Sequence, residues 1–360
     1  MHFKDHTIGR LTEGIIANLP RDLFSPRVFF LNQQKDEFSR SLERNADYSA
    51  TLPFFLDAAR KQIAEQELDI LFYPDIGMDF FTYFLAYSRL APVQCVTWGH
   101  PVTTGIRNID YFISGNDLEP EGAEAHYSEK LVRLNSLPTY YHKPTLPEPL
   151  KDRSHFGLED GRHIYLCPQT LFKFHPDFDP VLADILRRDP AGQLVLIEGT
   201  LPHWTELLSQ RFAQSMPDVM ARIHFLPRQS THDFLNLIAI SDVILDPFHF
   251  GGGNTAYEAL AVGTPIVTWP GAYMRGRVTY ACYRKMGVMD CVADSPDQYA
   301  ELAVRLGCDR SFREEIRAKI LASNSALYED AGALRELEKF FVDALREHPA
   351  NPKTNESDHA

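Results

Sequence analysis

Between Leu245 and Pro265 the sequence reads LDPFHFGGGNTAYEALAVGTP. Three consecutive glycines, Gly251, Gly252 and Gly253, end a hydrophobic stretch, and Asn254, Thr255 and Glu258 follow at once. Glycine lets a backbone approach a ligand closely and take up positive φ. A helix starting near Asn254 presents its unpaired amides and the positive end of its dipole at the same place. Asn254 and Thr255 suit a helix cap and also suit donation to a phosphate oxygen. Glu258, about one turn in, is spaced to reach a pair of sugar hydroxyls. These types in this order describe a cradle for an anion. They also describe a tight turn with a good cap, in which Glu258 complements the helix dipole.

Two more strand ends in the same half carry polar sets. LCPQTLFKFHP follows the apolar run HIYLC and brings Gln169, Thr170 and Lys173 to the start of a helical pattern. A lysine there neutralises a phosphate, or is a solvated loop residue. RIHFLP ends just before Arg228, Gln229 and His232. Read as three neighbouring strand ends, these sets form a kit for a ribose, a diphosphate and a base. In the first half, YPDIGMD places Asp75 and Asp79 at the end of the run DILFYP. With His6 they are the groups able to take a proton from an acceptor. Asp79 as a helix cap and Asp75–Gly77 as a turn explain the same residues, and His6 at a helix start has a structural reading too. His175, before Pro176, shapes a turn.

The elements that must position these residues alternate along the chain. RVFFL, DILFYP, VQCVTW and DYFISG read as buried strands, with helices over FLDAARKQIAEQ and FFTYFLAYSRL. Proline and charge then dominate HKPTLPEPLKDRSHF, which reads as a linker with a boundary near residue 150. The pattern resumes with HIYLC, QLVLIEG, RIHFLP, DVILDPF and PIVTWPG as strands. Helices start near Asp177, Trp204, Thr231, Asn254 and Gly276. Strand–helix alternation twice over predicts two α/β lobes, each a doubly wound parallel sheet: 1–148, and 149–349 with C-terminal helices. The tail 350–360 is expected to be disordered. A doubly wound lobe usually opens on a strand, but here the sequence is in a helical pattern, TIGRLTEGIIANLP, by about Thr7. The first strand is missing from the pattern.

Bulk properties remove several classes. Lys and Arg total 36 against 49 Asp and Glu, a formal charge of -13, which argues against a nucleic-acid partner. No run approaches the roughly 18 apolar residues of a membrane span, and no signal peptide is visible. Cys95, Cys167, Cys282, Cys291 and Cys308 are scattered without C-x-x-C spacing. Reduced thiols in a cytoplasmic protein, and no metal cluster, are expected.

Several blocks together carry a resemblance. QTLFKFHP, SDVILD and GNTAYEALAVGTPIVTWPG lie in the second half, with DILFYPDIG, APVQCVTWGHPVTTGIRNIDYFISG and HYSEKLVRL in the first. Residues 163–310 resemble the catalytic lobe of the protein O-linked N-acetylglucosamine transferase family, including its SPINDLY-type members. The resemblance implies a GT-B fold, two Rossmann-like lobes with a UDP-sugar in the cleft. It implies inverting transfer of GlcNAc or a hexose to a protein Ser/Thr or Asn, with UDP-sugar as substrate and no metal or other cofactor. Lys173 resembles the lysine that supports the leaving UDP, and Gln169 or Thr170 matches a nucleotide contact. Gly253, Asn254 and Thr255 stand where the family has a His-Thr-Thr phosphate turn, and Glu258 replaces its acidic ribose ligand. Gly99, His100 and Pro101 match the turn that lines the sugar, and His6 resembles a histidine proposed as the base. The family's glycine-turn histidine is Gly253 here, and its uracil-flanking histidine falls near Phe234, with His232 two residues early. Its helical repeats are absent from these 360 residues. Two other readings stand beside the transferase: a nucleotide-sugar epimerase, and an inactive nucleotide-sugar binder or scaffold.

Overall fold

The computed structural model describes residues 2–31 and 34–348. The expected disorder of 350–360 lies outside them. The chain divides into two compact units. The first comprises residues up to Asn116, Glu121–Tyr141 and everything from Asp330 on, and the second comprises Asp117–Pro120 and His142–Glu329.

The first unit begins with α1 (Thr7–Asn18), β1 (Arg27–Phe30), α2 (Glu37–Arg44), β2 (Tyr48–Thr51) and α3 (Leu56–Ala64). It continues through β3 (Ile70–Tyr73), α4 (Phe80–Leu85), β4 (Val93–Thr97), β5 (Tyr111–Gly115) and β6 (Lys130–Leu134). Among the described residues no strand precedes α1, as the sequence pattern indicates. In α1, Ile8, Leu11 and Ile15 fall on one buried face, and the helix stops before Pro20. The strands form two separate parallel sheets, β1-β2 and β3-β4-β5-β6. β4 and β5 are buried at every position, as suits parallel strands covered on both faces.

The second unit runs β7 (His163–Cys167), α5 (Asp179–Arg188), β8 (Gly192–Ile197), α6 (Pro202–Ser215), β9 (Ile223–Leu226) and α7 (Thr231–Ile240). Then come β10 (Val243–Leu245), α8 (Asn254–Ala261), β11 (Ile266–Val267), α9 (Val278–Met286), α10 (Pro296–Cys308) and α11 (Arg310–Ser323). Its five parallel strands are ordered β11-β10-β7-β8-β9.

The expected lobe boundaries differ from these units in two places. The proline-rich stretch is no free linker. Lys151 exchanges two backbone hydrogen bonds with the Asn236 side chain on α7, and Arg153 pairs with Asp242 at 3.0 Å. These contacts tie it to the second unit, which starts at His142. The last helix, α12 (Ala331–Glu347), belongs to the first unit rather than the second. Its Leu334, Leu337, Phe341 and Ala344 join Val93, Cys95, Tyr111 and Ile113 in one apolar cluster. Glu347 accepts a hydrogen bond from Tyr111 and pairs with Lys130. Truncating a buried phenylalanine such as Phe341 to alanine costs about 3–5 kcal/mol. Four cysteines are buried and Cys308 is exposed. Among the described residues no helix is long and apolar enough to cross a membrane.

Candidate active site

In the second unit the polar residues gather at the carboxyl ends of β7 and β10, which are adjacent strands. After β10 comes Asp246, a buried carboxylate. Its Oδ1 accepts from the Gly252 amide at 2.6 Å and its Oδ2 from the Thr268 hydroxyl at 2.8 Å. Burial pushes the Asp246 carboxyl up, and these donors and Lys173 oppose that rise. The carboxylate leaves no room for side chains on the turn, since a Cβ on Gly251 would meet it at 2.8 Å. A Cβ on Gly252 would meet Nε2 of Gln169 at 2.8 Å. Gly251 is thus required by close approach to the buried carboxylate, while a side chain on Gly252 would displace the Gln169 amide. α8 then starts at Asn254 with Gly253 as its cap, so its first amides open beside the turn.

After β7, a short 3-10 helical turn (Leu171–Lys173) brings a lysine back over the same place. Lys173 Nζ donates to Gln169 Oε1 at 2.9 Å and to the Gly251 carbonyl at 2.8 Å, and lies 4.3 Å from the centre of the Phe250 ring. Burial lowers its pKa to about 8, with Asp246 pulling the other way. Its ammonium is therefore still charged at neutral pH, and it is held by neutral oxygens that a phosphate can replace. Gln169 is buried and Thr170 exposed. Asn254 and Thr255 are partly buried, and Glu258 is buried on α8.

Arg228 and His232 do not join this group. β8 separates β9 from β7, so the three strand ends are not neighbours as the sequence suggested. Arg228 donates to Thr200 at 3.1 Å, and both it and His232 are exposed. His175 does shape its turn, because its Nδ1 accepts from the Asp177 amide. Sequence reasoning missed Asp246 and Phe250. An aspartate directly after a strand of three apolar residues was the available signal for the first.

The first unit holds its own group, at the ends of the adjacent strands β3 and β4. His6 caps α1 by accepting from the Ile8 amide at its Nδ1, which leaves the ring proton on Nε2. His2 stacks on His6 at 4.7 Å and its Nδ1 lies 2.9 Å from Oδ2 of the buried Asp75. Burial lowers the pKa of His6 to about 4, and neighbouring His2 adds to this. His100 is also shifted down by burial. Gly77, with φ +102°, faces the His100 ring, and Gly99 faces the Pro74 carbonyl. Neither position has space for a side chain, so the two loops are locked together and Pro101 follows from that turn. Asp79 is a helix cap, accepting from the Thr82 amide at 2.8 Å.

Among the described residues, three trios bring possible ligand atoms close enough to share an ion: His163, Asp189 and Cys308; His175, Asp177 and His249; and His2, Asp75 and Asp79. In each, a histidine is already hydrogen-bonded to a carboxylate.

Comparison with known proteins gives a consistent picture. Residues 142–331 match the family described as Glycosyl transferase family 41. A UDP-glucose:protein N-beta-glucosyltransferase of Actinobacillus pleuropneumoniae serotype 7 is 29% identical over 294 residues, 79% of this chain and 46% of the relative. A probable UDP-N-acetylglucosamine–peptide N-acetylglucosaminyltransferase SPINDLY of Solanum lycopersicum is 30% identical over 272 residues, 72% of this chain and 28% of the relative. The chain thus spans about half the length of the first and under a third of the second. Among solved structures, a mutant O-GlcNAc transferase of Thermobaculum terrenum superposes with a TM-score of 0.83 at 24% identity, over 96% of this chain and 66% of that one. Anabaena HepE in complex with UDP and glucose gives 0.62 at 13% identity, over 95% and 97%. The fold is the GT-B type that the sequence blocks implied.

Proposed function

The chain belongs to glycosyl transferase family 41, and from that membership we propose that it transfers a sugar, GlcNAc or a hexose, from a UDP-sugar to a protein side chain. The acceptor is a Ser/Thr hydroxyl or an Asn amide. The observation that carries the reading is Lys173, fixed by Gln169 and the Gly251 carbonyl beside the first amides of α8.

In the proposed step the acceptor atom attacks the anomeric carbon from the face opposite the nucleotide. A new bond to that carbon forms as its bond to the β-phosphate oxygen breaks. The configuration inverts and UDP leaves with the bonding pair. Negative charge grows on the diphosphate in the transition state, and donors fixed there in advance lower the barrier. Lys173, the first amides of α8 and the Thr255 hydroxyl are those donors. Glu258 takes the ribose hydroxyls. No metal is required, because the lysine and the helix end supply the positive charge.

The acceptor proton goes to the first unit's group. His2 and Asp75 are arranged as a base and its orienter: Nδ1 faces the carboxylate, and Nε2 is left to accept. His6 lies against His2 as a neutral donor at its Nε2, and His100 with Gly99 and Pro101 lines the sugar. The test is UDP release from UDP-GlcNAc and UDP-glucose, with and without peptides bearing Ser/Thr or Asn, in the presence and absence of EDTA. Acceptor-dependent release that EDTA leaves unchanged is expected. Absence of release from every UDP-sugar overturns the reading, and loss of release in EDTA overturns its metal independence.

A further inference from the structure

At the amino end of β7, away from the proposed active site, three side chains that share no sequence motif converge. His163 opens that strand, Asp189 caps the carboxyl end of α5, and Cys308 is the last residue of α10. His163 is 26 positions from Asp189 and 145 from Cys308. Its Nδ1 lies 2.7 Å from Oδ2 of Asp189 and 3.8 Å from Sγ of Cys308, and the three atoms are all within 4.8 Å of one another.

The surroundings are built around the carboxylate. Asp189 is 2% exposed. Its Oδ2 also accepts from the Tyr165 hydroxyl at 2.8 Å, and its Oδ1 accepts from the Ala191 amide at 3.0 Å. Among the described residues no lysine or arginine pairs with this carboxylate. His163 is its ion-pair partner, and Arg222 donates to the Asp189 backbone carbonyl instead. A buried charge needs an opposite charge beside it, here a proton on the imidazole or a metal ion. Two helices end at this place, and the carboxyl end of a helix also favours a cation. A Cβ on Gly192 would meet the Tyr165 ring at 2.6 Å and Oδ2 of Asp189 at 2.9 Å, and Gly307 has no room for one against the Tyr165 hydroxyl. The chain thus closes tightly on Asp189 and Tyr165, while the exposed Cys308 leaves a path from solvent.

We propose that His163 Nδ1, Asp189 Oδ2 and Cys308 Sγ bind a zinc ion, with water in the fourth position, as a staple joining β7 to the ends of α5 and α10. A thiolate, an imidazole and a carboxylate together suit Zn²⁺ rather than the hard cations, which take oxygen alone. Zinc bonds of about 2.0–2.3 Å in tetrahedral geometry put neighbouring ligand atoms about 3.4–3.6 Å apart. The nitrogen–sulfur distance is already close to that. The nitrogen–oxygen distance is a hydrogen bond, and it widens by under about 1 Å when the ion takes the proton's place. On binding, the Cys308 thiol gives its proton to solvent, and the imidazole proton that faces the carboxylate moves to Nε2. Tyr165 keeps its hydrogen bond to Asp189, the outer support that ligating carboxylates have. The other two trios lack this fit. His175 Nδ1 and Asp79 already accept from backbone amides as caps, and His2 and Asp75 belong to the proton-transfer group. Lys173 follows the opposite end of β7, so the ion holds the second unit together and takes no part in sugar transfer.

The experiment titrates the full chain, reduced and stripped of metal, with Co²⁺ and then with Zn²⁺. A thiolate-to-cobalt charge-transfer band should appear in the near ultraviolet and be displaced by zinc, and zinc should raise the melting temperature. Cys308→Ser, a change at an exposed position, should lose both the band and the rise. Tyr165→Phe should keep the band but weaken zinc binding by about 10- to 100-fold, the usual cost of an outer hydrogen bond. Absence of the band in the unaltered chain overturns the proposal. So does a band that survives in Cys308→Ser or in His163→Gln, since the ion then has other ligands. A zinc-dependent rise in melting that Cys308→Ser retains places zinc at another trio and overturns it too. A band that forms only together with dimers, seen by light scattering, means that thiols of two copies share the ion, and it counts against the staple. If His163→Gln fails to fold, Cys308→Ser alone decides.

Discussion

Lys173 and the Gly251–Gly253 turn stand at the ends of β7 and β10, adjacent strands inside a sheet of five. His2, His6 and Asp75 stand beside β3, an end strand of its sheet that among the described residues pairs only with β4. The first group is fixed from below by a buried carboxylate, Asp246, that can move only if the sheet moves. The second rests on a helix cap and one histidine–aspartate contact. In the proposed mechanism charge stabilisation is therefore built into a five-stranded framework, while proton transfer depends on the contacts of the segment ahead of α1. A defect in framework packing should reach the two groups differently.

The largest expected effect lies in the second unit. Lys173→Ala should lower UDP release by about 100- to 1000-fold, the usual cost of one transition-state donor, while UDP binding falls much less. Equal losses in both, seen by titrating UDP and timing its release, would make Lys173 a ground-state ligand only.

Glu258→Gln should weaken UDP binding about tenfold, since a charged hydrogen bond contributes roughly 1.5–3 kcal/mol. If Glu258 serves only the helix dipole, the mutant melts lower by about 0.3–1 kcal/mol and keeps its affinity. Calorimetric titration and melting of the same mutant separate the two.

In the first unit, His6→Ala should cost about 1 kcal/mol through the lost cap, and His6→Asn should restore it because asparagine caps well. A turnover deficit that persists in His6→Asn shows chemistry at the imidazole. Turnover that recovers with stability shows a cap alone.

Two pH windows, one for each group, sharpen the comparison further. His6 in the folded chain titrates near 4, below the ordinary 6.5. The unfolded chain takes up that proton first, so stability should fall as pH drops from 6.5 towards 4. Lys173 titrates near 8 against 10.5. Stability should rise as pH climbs from 8 to 10.5, because the unfolded chain holds the extra proton there. UDP affinity should fall over the same rise as the ammonium is lost. His6→Asn should flatten only the acid window and Lys173→Met only the alkaline one, in melting curves taken across pH.

Local pattern made much of this legible. Apolar runs bounded by turn residues gave β7, β8 and β9 within a residue or two, because parallel strands buried on both faces need such runs, while DVILDPF and PIVTWPG overran β10 and β11 at their carboxyl ends. The glycine turn with Lys173 and Gln169 was legible because its chemistry is local. Arg228 and His232 were misplaced because strand order is not local: nothing in RIHFLP says that β8 comes between. The role of Asp246 was not legible for a related reason, since its partners Gly252 and Thr268 are reached only across the turn and the neighbouring strand. β2 and β6 escaped because YSAT and KLVRL carry too few apolar residues to stand out. The cap role of Asp79 followed from its type and position.

The return of α12 to the first unit sets an order on the ribosome. Glu347 meets Tyr111 across 236 positions of sequence, so the sheet of the first unit waits for a helix made much later. The second unit, from His142 to Glu329, has emerged in full before α12 does. It can complete its fold while the first unit still exposes the apolar face around Val93 and Ile113, a transient aggregation-prone surface. A stop codon just after Glu329 would consequently injure the first unit and spare the second.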